Sequence, residues 1–344
     1  MFEVSLDPPH CGVLHFEVNR HFFRRHYRPM HCFDFIPISI ATLLPSSHLG
    51  LDLYQAETET ENYVLYRGSE YPLTVADLDR LRGRGIEHLF ISRESQDSYK
   101  NYLREIATAT DRENISLAVR TEAVTEVVRQ IIQEAFTEDD VDQTVDAASQ
   151  LGTLTADILT NDQFAVKDML KVLHHDYATF THSANVAFYC GMLATELGYS
   201  SEVVEEITAG GLLHDLGKLE IRDELLRKPG KLTELEFREI RMHPTLGFKK
   251  LAHRDDLVEG QLMMTYQHHE RLDGKGYPVG CIEDDIHPWA KICSVVDVYE
   301  ALTSNRPYRK SMPRKKALQI MEREIGNAFD PELFKCWQSI IKQS

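Results

Sequence analysis

Two histidines stand side by side at His268 and His269, and the run from 268 to 278 reads HHERLDGKGYP. Neighbouring residues on a helix point about 100° apart, so both imidazoles can address one site only where it lies at the helix edge. The run joins metal-ligand chemistry to a substrate-sized loop, and taken alone it leaves open whether a metal is bound. Other apolar-periodic segments end on similar groups. The stripe Val186, Tyr189, Cys190, Leu193 and Leu197, extended back one turn, lands on His182. Val203, Ile207 and Gly210 or Gly211 lead to His214, with Asp215 beside it; Ile240 leads to His243; Val258 and Leu262 lead toward His269; Ala290 and Cys293 lead to Asp297. A single inward histidine is ordinarily a hydrogen-bonded core residue, and a His-Asp pair says little, since His175-Asp176 repeats it. Five helices that each carry such a group inward are different, because converging buried carboxylates and imidazoles need a compensating charge. A metal centre supplies one.

The set His182, His214, Asp215, His243, His268, His269 and Asp297 is too large for one tetrahedral zinc and contains no cysteine. Two divalent ions are the natural count, and mixed imidazole and carboxylate ligation is compatible with iron or manganese. A carboxylate such as Asp215 is suited to bridge two ions and hold a hydroxide between them, ready to attack a phosphodiester.

The elements that position these groups divide the chain unevenly. From residue 166 to 344 apolar residues recur at helical spacing with no convincing strand, so this part reads as all helix. Thr233 to Glu236 has capping-box form and starts a helix expected to carry Phe237 and Ile240 inward toward His243. Residues 33–106 are mixed: Tyr63 to Tyr66 and His88 to Ser92 read as strands, and Thr74 to Arg82 as the one helix of a small α/β regulatory module. Between them, 107–165 reads as a helical connector, with helices at 114–136 and 141–159. It lacks sustained heptads, so packing on its own chain is preferred to a homodimeric coil. The fold class is therefore α+β, a small α/β unit followed by an all-α bundle.

Residues 1–32 are rich in His and Arg and read as an unstructured leader, with Met30 as an alternative start. The net charge of -16 excludes a general nucleic-acid binder. The most apolar run, Phe35 to Leu44, contains Pro37 and is about half a membrane span, so no transmembrane helix is expected. The 6 cysteines form no CxxC pair and fit a reducing, cytoplasmic setting.

LLHDLGKLEI, MHPTLG, HHERLDGKGYPVG and VVDVYEALTSNRPYR, in this order, resemble the HD-GYP subgroup of the HD phosphohydrolase superfamily over roughly Val166 to Phe334. The resemblance implies an all-helical HD-type bundle with a two- or three-iron centre that hydrolyses cyclic di-GMP to linear pGpG, and in some members on to GMP. It makes Asp215 the bridging ligand, with His182, His214 and Asp297 chiefly on one ion and His243, His268 and His269 chiefly on the other. Lys218 would steady the scissile phosphate or the leaving oxygen. Arg306 and Arg309 would hold phosphate or guanine edges; Gly274 and Gly276 would let the backbone approach the substrate, and Tyr277 would touch a base or phosphate. Glu300, where the subgroup often has Asp, is expected to bear on substrate positioning. Ala178 replaces the Glu of three-metal members, so two ions are expected. The GYP loop would also serve a diguanylate cyclase or other signalling partner. A cyclic di-GMP receptor without turnover, or a phosphodiesterase for another cyclic dinucleotide, are the alternatives.

Overall fold

The computed structural model describes residues 34–45, 49–57, 62–109, 115–137, 140–161, 179–226, 228, 230–304 and 311–343. The leader, His175-Asp176, Ala178, Arg306 and Arg309 lie outside the described residues.

The N-terminal part runs β1 (Phe35–Ser39), β2 (Leu53–Ala56), β3 (Tyr63–Arg67), α1 (Val75–Gly83), β4 (His88–Ser92) and α2 (Gln96–Thr108). The strands form one antiparallel sheet in the order β1-β4-β2-β3. The two strands and the helix expected from the sequence are present, and Thr74 and Asp77 close a capping box at the start of α1. The expectation of one helix is corrected by α2, which buries Tyr99, Leu103, Ile106 and Ala107 along one stripe. Pro37 is accommodated because β1 is an edge strand, where a missing N–H costs no ladder bond.

Two long helices follow, α3 (Leu117–Thr137) and α4 (Val141–Asn161). Among the described residues that follow, the elements are helical: α5 (Thr179–Glu196), α6 (Ser201–Leu213), a 3-10 turn at Leu216–Glu220, α7 (Asp223–Leu226), α8 (Glu234–Ile240), α9 (His243–Leu251), α10 (Glu259–Gln267), α11 (Pro288–Thr303), α12 (Arg314–Glu322) and α13 (Pro331–Gln343). Among the described residues no helix is long and apolar enough to cross a membrane.

One hydrophobic cluster runs from Ile38, Leu89 and Ile91 of the sheet through Leu103, Val127 and Leu151 to Leu212 and Leu213 of α6. A second surrounds α5, α11 and α13, with Tyr189, Tyr299 and Trp337 in mutual ring contact. Helix α5 is buried on all sides from Ala184 to Ala194 and lies between neighbours, while α6 packs on both α4 and α5. Three expected core positions are surface positions instead. Leu197 lies past the end of α5, Val258 precedes α10, and Phe237, on the short surface helix α8, is 45% exposed. The Arg241 guanidinium covers the Phe237 ring at 5.6 Å, shielding it where no core is within reach.

Candidate metal centre

The helices aim their ends at one point. His182 lies in the first turn of α5, His214 and Asp215 directly follow α6, His243 opens α9, His268 and His269 directly follow α10, and Asp297 lies within α11. Gly217 makes the approach between two of these elements feasible. A Cβ there would stand 1.9 Å from the His243 carbonyl oxygen, so only glycine lets the turn after Asp215 press against the start of α9.

Asp215 is at the centre, and its two oxygens face different partners. Oδ2 lies 3.5 Å from His182 Nε2 and 3.3 Å from His214 Nε2. Oδ1 lies 3.3 Å from His243 Nε2 and 3.8 Å from His268 Nε2, and these two nitrogens are 3.3 Å apart. Asp297 Oδ1 approaches His182 Nε2 to 3.2 Å. Two groups of potential ligands result, sharing Asp215: one with His182 and His214, the other with His243, His268 and His269. Donor atoms held about 2.0–2.2 Å from one ion lie roughly 3–3.5 Å from each other, the spacing seen here.

The far side of three of the rings fixes their tautomer. His214 Nδ1–H donates to the Gly211 carbonyl at 2.7 Å, His243 Nδ1–H to Ile240 at 2.7 Å, and His268 Nδ1–H to Met264 at 2.9 Å. A carbonyl oxygen only accepts, so the proton sits on Nδ1 and Nε2 turns a bare lone pair into the site. Three such lone pairs meet around the Asp215 carboxylate. Asp215 Oδ1 and His214 Nε2 are buried with no hydrogen-bond partner among the described residues. Such convergence is costly unless a cation stands among the atoms, and the donor set fits divalent metal.

The charge states of three of the histidines agree. Burial, with the neighbouring histidines, holds the His268 imidazole well below its ordinary value; burial lowers His243 to about 4 and His269 to about 3. All three are neutral at pH 7, as ligands must be. Burial also disfavours charge on His182, but Glu300, Asp215 and Asp297 outweigh it and raise its value well above normal. Asp215 is pushed up by burial, yet the Lys218 ammonium and His214 hold it well below the carboxylate range.

The remaining expected residues fall into three groups. Lys218 ion-pairs with Asp215 Oδ2 from the 3-10 turn and keeps its side chain about one-third exposed, at the mouth of the site. Tyr277 stacks on His269 with ring centroids 4.6 Å apart, and the Arg241 guanidinium lies 4.4 Å over its outer face. Gly274 and Gly276 are required by the fold of the loop itself. Gly274 has φ +70°, and a Cβ on Gly276 would stand 2.5 Å from Glu270 Cα and Arg271 N, so the loop folds back against its own helix end. The burial of Glu300 departs from its expected place at the substrate. The residue is fully buried and accepts from His182 Nδ1–H, from Asn185 Nδ2 at 3.0 Å and from Ser304 Oγ at 2.6 Å, so it lies behind the His182 ring with both oxygens engaged.

Sequence reasoning misses the loop's anchors. Glu270, 2% exposed, accepts from the Val279 N–H at 2.7 Å and the Gly280 N–H at 3.0 Å. Arg271 bridges Asp273 and Glu324, tying the loop to the turn after α12. The signal for Glu270 is its place directly after two candidate ligand histidines, where an acid can pin the loop that begins there. Arg241 carries no sequence signal.

The HD domain family matches residues 153–333, and the chain belongs to that family. It carries the HD-GYP motifs on an HD bundle preceded by a small sheet unit. A cyclic di-GMP phosphodiesterase of Pseudomonas aeruginosa is 34% identical over 198 residues, covering 58% of this chain and 47% of the relative. A 3'3'-cGAMP-specific phosphodiesterase of Vibrio cholerae is 41% identical over 160 residues, covering 45% and 36%. The chain spans about half the length of the curated relatives it matches. A solved HDG"Y"P protein from Bdellovibrio bacteriovorus shares the fold, with TM-score 0.62 at 20% identity over 90% of this chain and 100% of that one. The shared fold thus extends beyond the bundle into the N-terminal part.

Proposed function

We propose that the protein is a metal-dependent phosphodiesterase that hydrolyses cyclic di-GMP to linear pGpG, acting in the cytoplasm in second-messenger signalling. The observation that carries this reading is the set of lone pairs around Asp215, which calls for a cation and falls into two groups of potential ligands. Iron or manganese is assigned to two positions, one among His182, His214 and Asp297, the other among His243, His268 and His269, with Asp215 between them. Bound metal would supply an acidified water as nucleophile and neutralise charge on the phosphate.

The chain's own residues do the rest. Imidazoles with protons locked on Nδ1 keep their donor lone pairs aimed inward. Lys218, already at Asp215 and partly exposed, can turn to the departing 3′ oxygen and donate its proton. Tyr277, with Arg241 across its outer face, forms a wall beside His269 for a base or phosphate. Arg306 and Arg309 are assigned to phosphate or guanine contacts. The proposed division is a sheet-containing regulatory unit at 33–106, a helical connector at 107–165 and the phosphodiesterase bundle at 166–344. The GYP loop is the surface assigned to a signalling partner.

A second substrate reading has support: the similarity to the 3'3'-cGAMP-specific enzyme of Vibrio cholerae is higher in identity than that to the cyclic di-GMP enzyme of Pseudomonas aeruginosa. Incubating metal-loaded protein with each dinucleotide separately and resolving the products by chromatography decides it. Faster linearisation of cyclic di-GMP is expected; a preference for cGAMP transfers the assignment, and tight binding of either without turnover makes the protein a receptor.

A further inference from the structure

The histidines around Asp215 are not supported alike. His214, His243 and His268 each rest Nδ1 on a main-chain carbonyl, whereas His182 rests Nδ1 on a carboxylate, that of Glu300. Glu300 is 0% exposed, and both oxygens are engaged: Oε2 by His182, Oε1 by Asn185 at 3.0 Å and Ser304 at 2.6 Å. Asn185 stands one turn after His182 on α5, and Ser304 terminates α11 one turn after Glu300, so the carboxylate is fixed from both helices. A carboxylate on the back of a ligand histidine raises the donor strength of the opposite nitrogen more than a neutral carbonyl does, and such partners alter metal affinity by about 10–100-fold.

Charge adds to this asymmetry. Around His182 lie Asp215 Oδ2 at 3.5 Å, Asp297 Oδ1 at 3.2 Å and, behind the ring, Glu300. In the group formed with His243, His268 and His269 the one carboxylate, among the described residues, is Asp215 itself. The partly exposed Lys218 ammonium on Asp215 Oδ2 offsets one of these charges, and a divalent cation is still met by more buried carboxylate on the His182 side, where solvent screens little.

We propose that the two ion positions are unequal: the position at His182, His214 and Asp297 fills first and holds its ion tightly, and Glu300 sets that affinity as a positioning residue. The position at His243, His268 and His269 fills second and releases its ion first. The inference rests on the two-ion reading of the cluster and adds an order to it. It makes the doubly loaded enzyme a species that depends on free metal concentration.

The test is a calorimetric titration of metal-free full-length protein with Mn²⁺, with bound metal counted independently after gel filtration. Wild type should show two steps separated by about 10-fold or more in affinity. Glu300→Gln preserves shape and removes charge; it should weaken the tight step by about 10–100-fold and leave the weak step within about 3-fold. Ser304→Ala, which removes one bond from Glu300, should shift the same step in the same direction by less, which keeps the test valid if Glu300→Gln folds poorly. His269→Ala should abolish the weak step and retain the tight one. Two steps of equal affinity, or a Glu300→Gln effect confined to the weak step, overturn the inference while leaving the two-ion centre standing. Uptake of no ion overturns the metal centre itself.

Discussion

At the scale of single residues, the centre is legible because helices that bury one stripe must place whatever ends that stripe in the core. His182, His214 and Asp297 are found that way, whereas His243 opens α9 and follows a helix, α8, that buries no residue; Asp215 lies beside His214 with its oxygens split between two candidate ligand groups. Asp215→Ala should lower bound metal to below one ion per chain and reduce hydrolysis to background, measured by metal analysis and product chromatography on the same preparation. Lys218→Met should behave differently: about a 10²–10⁴-fold lower kcat with metal content unchanged, the loss expected of a missing general acid. The buried neutral histidines also give the metal-free protein a pH dependence. With His243 near 4 and His269 near 3 in the folded chain, against about 6.5 when unfolded, the unfolded state binds more protons between those values. Stability therefore falls as pH drops from about 6.5 toward 4, and melting of chelator-treated protein at pH 7 and pH 5 should give the lower Tm at pH 5. Glu300 shows the limit of such reading. Three positions after Asp297 on α11 it shares that residue's general direction, but sequence spacing does not tell a group facing substrate from one behind a ligand.

At the scale of elements, the all-helical character of the described C-terminal residues is legible, though not the inward face of every helix, and the strands only unevenly. Segments with clear alternation or a capping signal, such as β4 and α1, are where expected. β1 is hidden inside an apolar run broken by Pro37, and β2 is only four residues long, too short to establish a period. α2 carries a stripe, Tyr99, Leu103 and Ile106, that helical spacing alone could have found. The loop after α10 is the element whose form matters most for substrate. Its shape depends on Glu270 holding the Val279 and Gly280 N–H groups and on Gly276 lying against the backbone of 269–271. Gly276→Ala should displace Tyr277 and raise KM several-fold while bound metal stays at the wild-type level, measured by steady-state kinetics alongside metal analysis. An unchanged KM would show that the wall beside His269 does not contact substrate.

At the scale of the molecule, the sheet unit and the bundle share one hydrophobic cluster, continuous through Leu103 of α2, Leu151 of α4 and Leu213 of α6. A chain truncated before α3 would expose the apolar faces that α2 and the sheet now cover, so it should melt well below the full-length protein or aggregate. An equally stable truncated bundle would show that the shared cluster contributes little. Such continuity also gives events at the sheet a packed route toward α6, the helix that leads directly into His214 and Asp215. The central claim is that this centre hydrolyses a cyclic dinucleotide through bound metal. The most direct measurement tracks cyclic di-GMP by chromatography with protein stripped of metal, then with the same sample reloaded with iron or manganese without oxygen. The expected result is no product from the stripped protein and linear pGpG on reloading; equal turnover in the presence of chelator, or none after two ions are restored, would contradict it.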